Sequence, residues 1–291
     1  MLKKFFTCLS AILMAFYASG QNDSTYLLNA DTISSKQHVV NHHQLYKIKP
    51  AVDIPIAAAG TAWSLYAFSK IYVKPPSSEE KILSLKKEDI NSFDRWAVRP
   101  YNGTLDKISY YPFYAALPYP LIFFAADDAM RKDYWKLSFL YWEAMAITGI
   151  FGEGATYSVD KYRPYAYSSG TQMDKRTDGL SKNSFYAGHV QVVAVPTFFV
   201  AKVYADYHPD SPTRWVYYGI AALATATTSY MRLEAGEHFP SDILLGAAMG
   251  TLTGILVPQF HKHSLLKNQD MSIFPYLNGE TYGIAMLMEV K

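Results

Sequence analysis

Hydrophobic residues gather into blocks along the chain. Six apolar segments, at 54–69, 108–126, 137–152, 190–201, 215–231 and 243–260, are separated by polar stretches. Each has the length of a helix, and period-2 alternation is scarce before the tail. Pro75-Pro76 break the charged stretch 74–107, and Pro112, Pro118 and Pro120 stand inside the second apolar segment. In the tail, 273–290 carries Asn278-Gly279, a pair suited to a tight hairpin turn. The pattern predicts an all-α protein. A helical bundle of about six core helices occupies 51–262, and the tail 263–291 adds a short C-terminal β-hairpin.

The first twenty residues read as an export signal. Lys3 and Lys4 precede an apolar run at 5–17, and Ala18-Ser19-Gly20 supplies small residues for cleavage. An uncleaved membrane anchor is the alternative. The polar segment 21–50 reads as an exported, loosely ordered arm. Its His38, His42 and His43 fit a solvated arm better than a metal site. The single cysteine, Cys8, lies in the signal. A mature chain would therefore have no disulfide, thiol nucleophile or cysteine metal cluster.

Composition sharpens this picture. Half of the 291 residues are hydrophobic and 18% are charged, against about 25% charged in ordinary soluble domains. That excludes disorder. A mean hydropathy of -0.05 is nevertheless low for a chain of lipid-facing helices. The net charge of +2 gives no reason to expect nucleic acid. The uncharged runs reach 16–19 residues, just short of the roughly 20 that a span requires. With a cleaved signal and six spans, 153–186 and 232–242 would face the cytoplasm. A non-spanning segment, or a soluble or surface-bound bundle, would remove that constraint.

Three polar clusters sit beside apolar helices. They are Asp160-Lys161-Tyr162-Arg163-Pro164, then Ser184-Phe185-Tyr186-Ala187-Gly188-His189, then the run from Arg232 through Glu237-His238-Phe239-Pro240-Ser241-Asp242. Two arginines, two histidines and a spaced carboxylate suit phosphoryl transfer. Guanidinium forks grip phosphate oxygens. One imidazole can attack phosphorus while another protonates the leaving oxygen. Asp242 stands four residues after His238, one helical turn away, and so is placed to hold that imidazole. Gly188 can bring its amide close to an anion at a helix start. Each cluster alone also fits ordinary helix-end chemistry; the ordered set of three is what points to a site. Asp127-Asp128 and Glu153 read as helix-end charges rather than a cation site.

The set resembles the type 2 phosphatidic acid phosphatase superfamily, which includes vanadium haloperoxidases and bacterial acid phosphatases. The family pattern is Lys-x6-Arg-Pro, Pro-Ser-Gly-His and Ser-Arg-x5-His-x3-Asp. Arg163-Pro164, Gly188-His189 and the Arg232, His238, Asp242 spacing match it. The resemblance implies an acid phosphatase/vanadium haloperoxidase-like helical fold over 51–262. It implies His238 as nucleophile of a phosphohistidine intermediate, Asp242 orienting it, and His189 as general acid and base. Arg163, Arg232 and the Gly188 amide would bind phosphate, with no metal or other cofactor for hydrolysis. The family's lysine and serines are replaced by Thr156, Ala187 and Met231, and Tyr186 stands for its proline. Lys161, two residues before Arg163, offers a replacement charge, unless it is a solvent-facing residue.

The expected function is metal-independent hydrolysis of a phosphate monoester or pyrophosphate, most naturally of a membrane lipid. The alternatives are a soluble periplasmic acid phosphatase of broad specificity, or a degenerate member that only binds anionic lipid. The expected partners are a phosphorylated lipid or small phosphate ester and a membrane. The expected location is the bacterial cell envelope, with the site toward the periplasm.

Overall fold

The structure, a computed structural model, describes residues 45–262 and the backbone of 271–278 and 281–288. The signal, Cys8 and the three arm histidines lie outside the described residues. The last residues before the bundle are not loose. Tyr46 is fully buried, and its hydroxyl donates to Asp206 Oδ2 at 2.7 Å.

Five apolar segments become long helices: α1 (Pro50–Ile71), α2 (Tyr134–Ser158), α3 (Gly188–Tyr207), α4 (Arg214–Glu234) and α5 (Pro240–His261). The segment 108–126 instead forms two short helices, Tyr110–Ala116 and Tyr119–Ala126. Pro118 forces that break, because its ring removes a backbone donor and opposes a continuous helix. The all-α bundle is thus as expected, with one of its six members broken. The tail pairs β1 (Met271–Asn278) with β2 (Thr281–Met288) in antiparallel register from Met271↔Met288 to Asn278↔Thr281.

Helices α1, α2 and α4 run in one direction and α3 and α5 in the other. One end of the bundle therefore collects the C-termini of α1, α2 and α4 with the N-termini of α3 and α5. Helix α3 is the central post, buried over most of its surface and packed on α5 and α4. Its contact with α5 is set by a ridge that the motif reading passed over. Gly246, Gly250 and Gly254 recur every fourth residue along one side of α5. A Cβ on Gly246 would lie 2.6 Å from the Ala187 carbonyl oxygen. One on Gly250 would lie 2.6 Å from that of Gln191, and one on Gly254 2.6 Å from that of Val195. This seam fixes the start of α5 against the start of α3. Gly250→Leu should lower the unfolding midpoint sharply, with a cost of at least about 1–3 kcal/mol for forcing atoms into a closed contact. A melting curve equal to wild type would show that the seam does not set the packing.

The outer faces are apolar. Val52, Ile54, Trp63 and Phe68 of α1, Trp215, Ile220 and Leu223 of α4, and Leu244, Leu252, Leu256 and Phe260 of α5 are all exposed. Helices α3 and α5 are long and apolar enough to cross a membrane by length and composition.

Candidate active site

Helix α4 ends where the site begins. Arg232 lies in its last turn, and Gly236 then adopts φ 72°, a left-handed conformation that glycine allows. A Cβ there would also meet the Pro100 carbonyl at 3.1 Å. This turn folds Glu237 back on the helix end. The Glu237 N–H donates to the Arg232 carbonyl at 3.2 Å, and its Oε2 accepts from Arg232 Nη2 at 2.8 Å. The chain then passes His238, and α5 starts with Pro240 at its first position.

The second arginine arrives from the loop after α2. The Arg163 N–H donates to the Ser181 carbonyl at 2.7 Å, and its Nε to Leu180 O at 3.1 Å. Its Nη1 pairs with Glu237 Oε2. Arg163 and Arg232 therefore share one carboxylate. Arg232 is 1% exposed and also donates to Asp106 Oδ1 at 2.5 Å and Ser109 Oγ at 3.1 Å. Its buried Nε has no partner among the described residues and is available to an anion.

His238 is buried and its Nδ1 lies 2.7 Å from the Ser184 carbonyl. That contact puts the proton on Nδ1 and leaves Nε2 with its lone pair. Burial, reinforced by Arg163 and Arg232, drives the imidazole well below the usual histidine range and keeps it neutral. His189 stands in the first turn of α3, packed against Tyr110 and Phe113 at ring separations of 4.5 and 4.9 Å. Its buried Nε2 has no hydrogen-bond partner among the described residues. Gly188 borders the same space, where an added Cβ would meet no atom within 4 Å. Its N–H belongs to the first turn of α3, which has no intrahelical acceptor.

These groups line one cavity of about 420 Å³. Arg163, Arg232, Gly188, His189 and His238 all border it, as do Glu237, Asp106 and Lys175. Phe68, Tyr72, Tyr110, Phe113 and Tyr114 form an aromatic flank.

Two expected placements are corrected. Asp242 does not hold the His238 ring. Its Oδ1 accepts from Lys161 Nζ at 2.7 Å, and its Oδ2 from Ser184 Oγ at 2.7 Å and the Phe239 N–H at 3.2 Å. The four-residue spacing misled because α5 begins only at Pro240, so His238 lies outside it and the two side chains do not share a helical face. Asp242 reaches His238 at one remove, by fixing Ser184. Lys161 is likewise not a phosphate ligand. It is held by Asp242, by Ser241 Oγ at 3.3 Å and by Asp94 at 3.5 Å, away from the cavity lining. Asp127 is a helix-end charge as expected, accepting from the Ala129 and Met130 N–H groups. Glu153 instead lines the cavity.

Sequence reasoning missed Lys175 and Glu237. Lys175, in the short helix Met173–Thr177, lies 4.3 Å from the Tyr101 ring centre and makes no ion pair among the described residues. Burial and the Arg163 charge lower its pKa. It supplies a cation to the cavity, while Thr156, at the family's lysine position, spends its hydroxyl on Gly152 O. A charged hydrogen bond is worth about 1.5–3 kcal/mol. Lys175→Ala should therefore lower kcat/KM for a phosphate ester by about 10- to 100-fold. Unchanged steady-state kinetics would remove Lys175 from phosphate binding.

Residues 137–265 match the sequence model of the PAP2 superfamily. The matched segment contains Arg163, Gly188, His189, Arg232, His238 and Asp242, and the α3–α5 seam. Among solved structures, the chain is similar to a transmembrane PAP2-type phosphatidylglycerolphosphate phosphatase from Bacillus subtilis. The identity is 18%, with a TM-score of 0.41 over 71% of this chain and 96% of that one. No curated protein matches the chain. The short helices and loops that bring Lys175 to the cavity lie inside the matched segment, whereas Asp106 and Tyr110 come from the chain before it.

Proposed function

We propose that the protein is a phosphatase acting on a phosphate monoester or pyrophosphate of a membrane lipid. The observation that carries this reading is the cavity itself. Two arginines and two imidazoles, each ring with one nitrogen left for chemistry, face a flank of aromatic rings. The polar wall fits a phosphate and the aromatic wall fits the apolar part of an amphiphile. The match of residues 137–265 to the PAP2 superfamily model supports phosphatase chemistry in general. The apolar outer faces of α1, α4 and α5 support residence in a membrane.

In the proposed mechanism, His238 Nε2 attacks phosphorus and the bond to the leaving oxygen breaks. Protonated His189 gives its proton to that oxygen. A water then attacks the phosphohistidine, His189 takes its proton, and phosphate leaves with His238 restored. Arg163, Arg232, Lys175 and the Gly188 N–H offset the charge that develops on the phosphoryl oxygens.

Glu237 now occupies the gap between the two arginines, so an incoming phosphate must displace it. This gives the alternative of a non-catalytic anion binder a definite test. Purified full-length protein is assayed on vesicles containing phosphatidic acid, phosphatidylglycerol phosphate or undecaprenyl pyrophosphate, and on a water-soluble phosphate ester. Lipid turnover exceeding that of the soluble ester is expected. Preference for the soluble ester would indicate a broad-specificity acid phosphatase. Binding without turnover would indicate the degenerate reading.

A further inference from the structure

A second polar cluster lies at the other end of the bundle. Asp53 stands in the first turn of α1, Glu143 in the third turn of α2, and His261 at the last position of α5. At about 1.5 Å per helical residue, the length of α5 places His261 about 30 Å from the phosphate cavity. One side-chain ligand atom from each of the three lies within 4.8 Å of the other two.

Three observations show what the cluster lacks. First, His261 Nδ1 lies 2.8 Å from the Val257 carbonyl oxygen. That contact places a proton on Nδ1 and turns Nε2 toward the two carboxylates, the arrangement that prepares an imidazole to ligate. Second, Nε2 stands 3.3 Å from both Asp53 Oδ2 and Glu143 Oε2. Charge-assisted N–H···O⁻ bonds run about 2.7–2.9 Å, so these contacts are long for an imidazolium bridge. Two ligand atoms each about 2.1 Å from a tetrahedral cation lie about 3.4 Å apart, which matches. Third, Glu143 has a side chain only 3% exposed, and its Oε2 is buried without a hydrogen-bond partner among the described residues. A buried carboxylate oxygen needs a proton, a donor or a cation. The nearby lysines do not supply it, because Lys202 and Lys262 both pair with Asp206. The Lys49 N–H is spent on Asp53 Oδ2 at 2.5 Å.

We infer that Asp53, Glu143 and His261 form a binding site for one divalent transition cation of the zinc type. One imidazole and two carboxylates suit such an ion. Its role is structural. It ties the starts of α1 and α2 to the end of α5, far from the phosphate chemistry.

The test uses untagged full-length protein in detergent, stripped with a chelator and titrated with zinc. One tightly bound equivalent per chain is expected, together with a rise in the unfolding midpoint that the chelator reverses. Glu143→Gln and His261→Gln should each weaken that equivalent at least tenfold. A variant with His38, His42 and His43 all changed to alanine should keep it. Circular dichroism of the stripped variants establishes that they are folded. Should a variant fail to fold, the chelator-reversible shift of the wild-type midpoint decides. No zinc uptake by the wild type would overturn the proposal. Full retention in both folded variants, or loss only in the arm variant, would overturn it as well.

Discussion

His238→Ala is expected to reduce turnover of a phosphorylated lipid by about a thousandfold or more, equivalent to at least about 4 kcal/mol of lost barrier lowering. The effect is large because this imidazole forms the bond to phosphorus in the proposed mechanism, and no neighbouring group can replace it. His189→Ala should also be severe, within the range of about 10²–10⁴ for a lost general acid–base. A substrate with a good leaving group should recover part of the His189 loss and none of the His238 loss. Turnover of the His238 variant at the wild-type rate would end the phosphohistidine assignment. The pH profile gives a separate check. Burial and the two arginines hold the folded His238 pKa well below the usual value, so protonation silences the nucleophile only at low pH. The acid limb of kcat/KM should fall below the ordinary histidine value of about 6.5. A limb centred at or above that value would mean that a different group controls the reaction.

Much of this site was legible in the sequence, and the reasons are local. Arg232, His238 and the five residues between them form a spacing that survives as geometry. A helix end, a glycine turn and a helix start fall in strict succession there. Gly188-His189 was readable as a helix start for the same reason. The bundle was readable because each apolar segment had helical length, and the break at Pro118 lay beside a residue whose chemistry predicts it. Long-range pairings were not readable. Lys161 looked like a phosphate ligand because it is near Arg163 in sequence, yet the chain directs it to Asp94 and Asp242, 67 and 81 residues away. Lys175 had no motif to mark it and reaches the cavity only through the packing of a short helix. Gly246, Gly250 and Gly254 were visible as a spacing, but only the facing backbone of α3 shows what the spacing is for.

Arg232→Ala carries the second large expected effect, on stability as well as on activity. The guanidinium is fully buried and faces two acidic groups, Asp106 and Glu237. Removing it strands the Asp106 carboxylate in a poorly solvated place and leaves Glu237 with Arg163 alone, a loss of about 3–5 kcal/mol for a broken buried pair. The penalty belongs mainly to the acids left behind, so it should shrink when one of them is neutralised. In the Glu237→Gln background, Arg232→Ala should cost less by an interaction energy of about 0.5–3 kcal/mol. Costs that add within about 0.3 kcal/mol would show that the Arg232–Glu237 contact carries no coupling. Asp106 sets the pH dependence of the same variant. Burial pushes its carboxyl up, but the Arg232 charge and the Tyr101 hydroxyl outweigh burial and hold it below the usual range. A carboxylate with a depressed folded pKa adds stability above its unfolded pKa and loses that stability as pH falls through the folded one. The variant lacks this contribution, and acid protonates its stranded Asp106. The stability gap between wild type and Arg232→Ala should therefore be widest near neutral pH and narrow as pH drops below about 4. A gap that stays constant or widens on acidification would mean that Asp106 is not the group left unpaired.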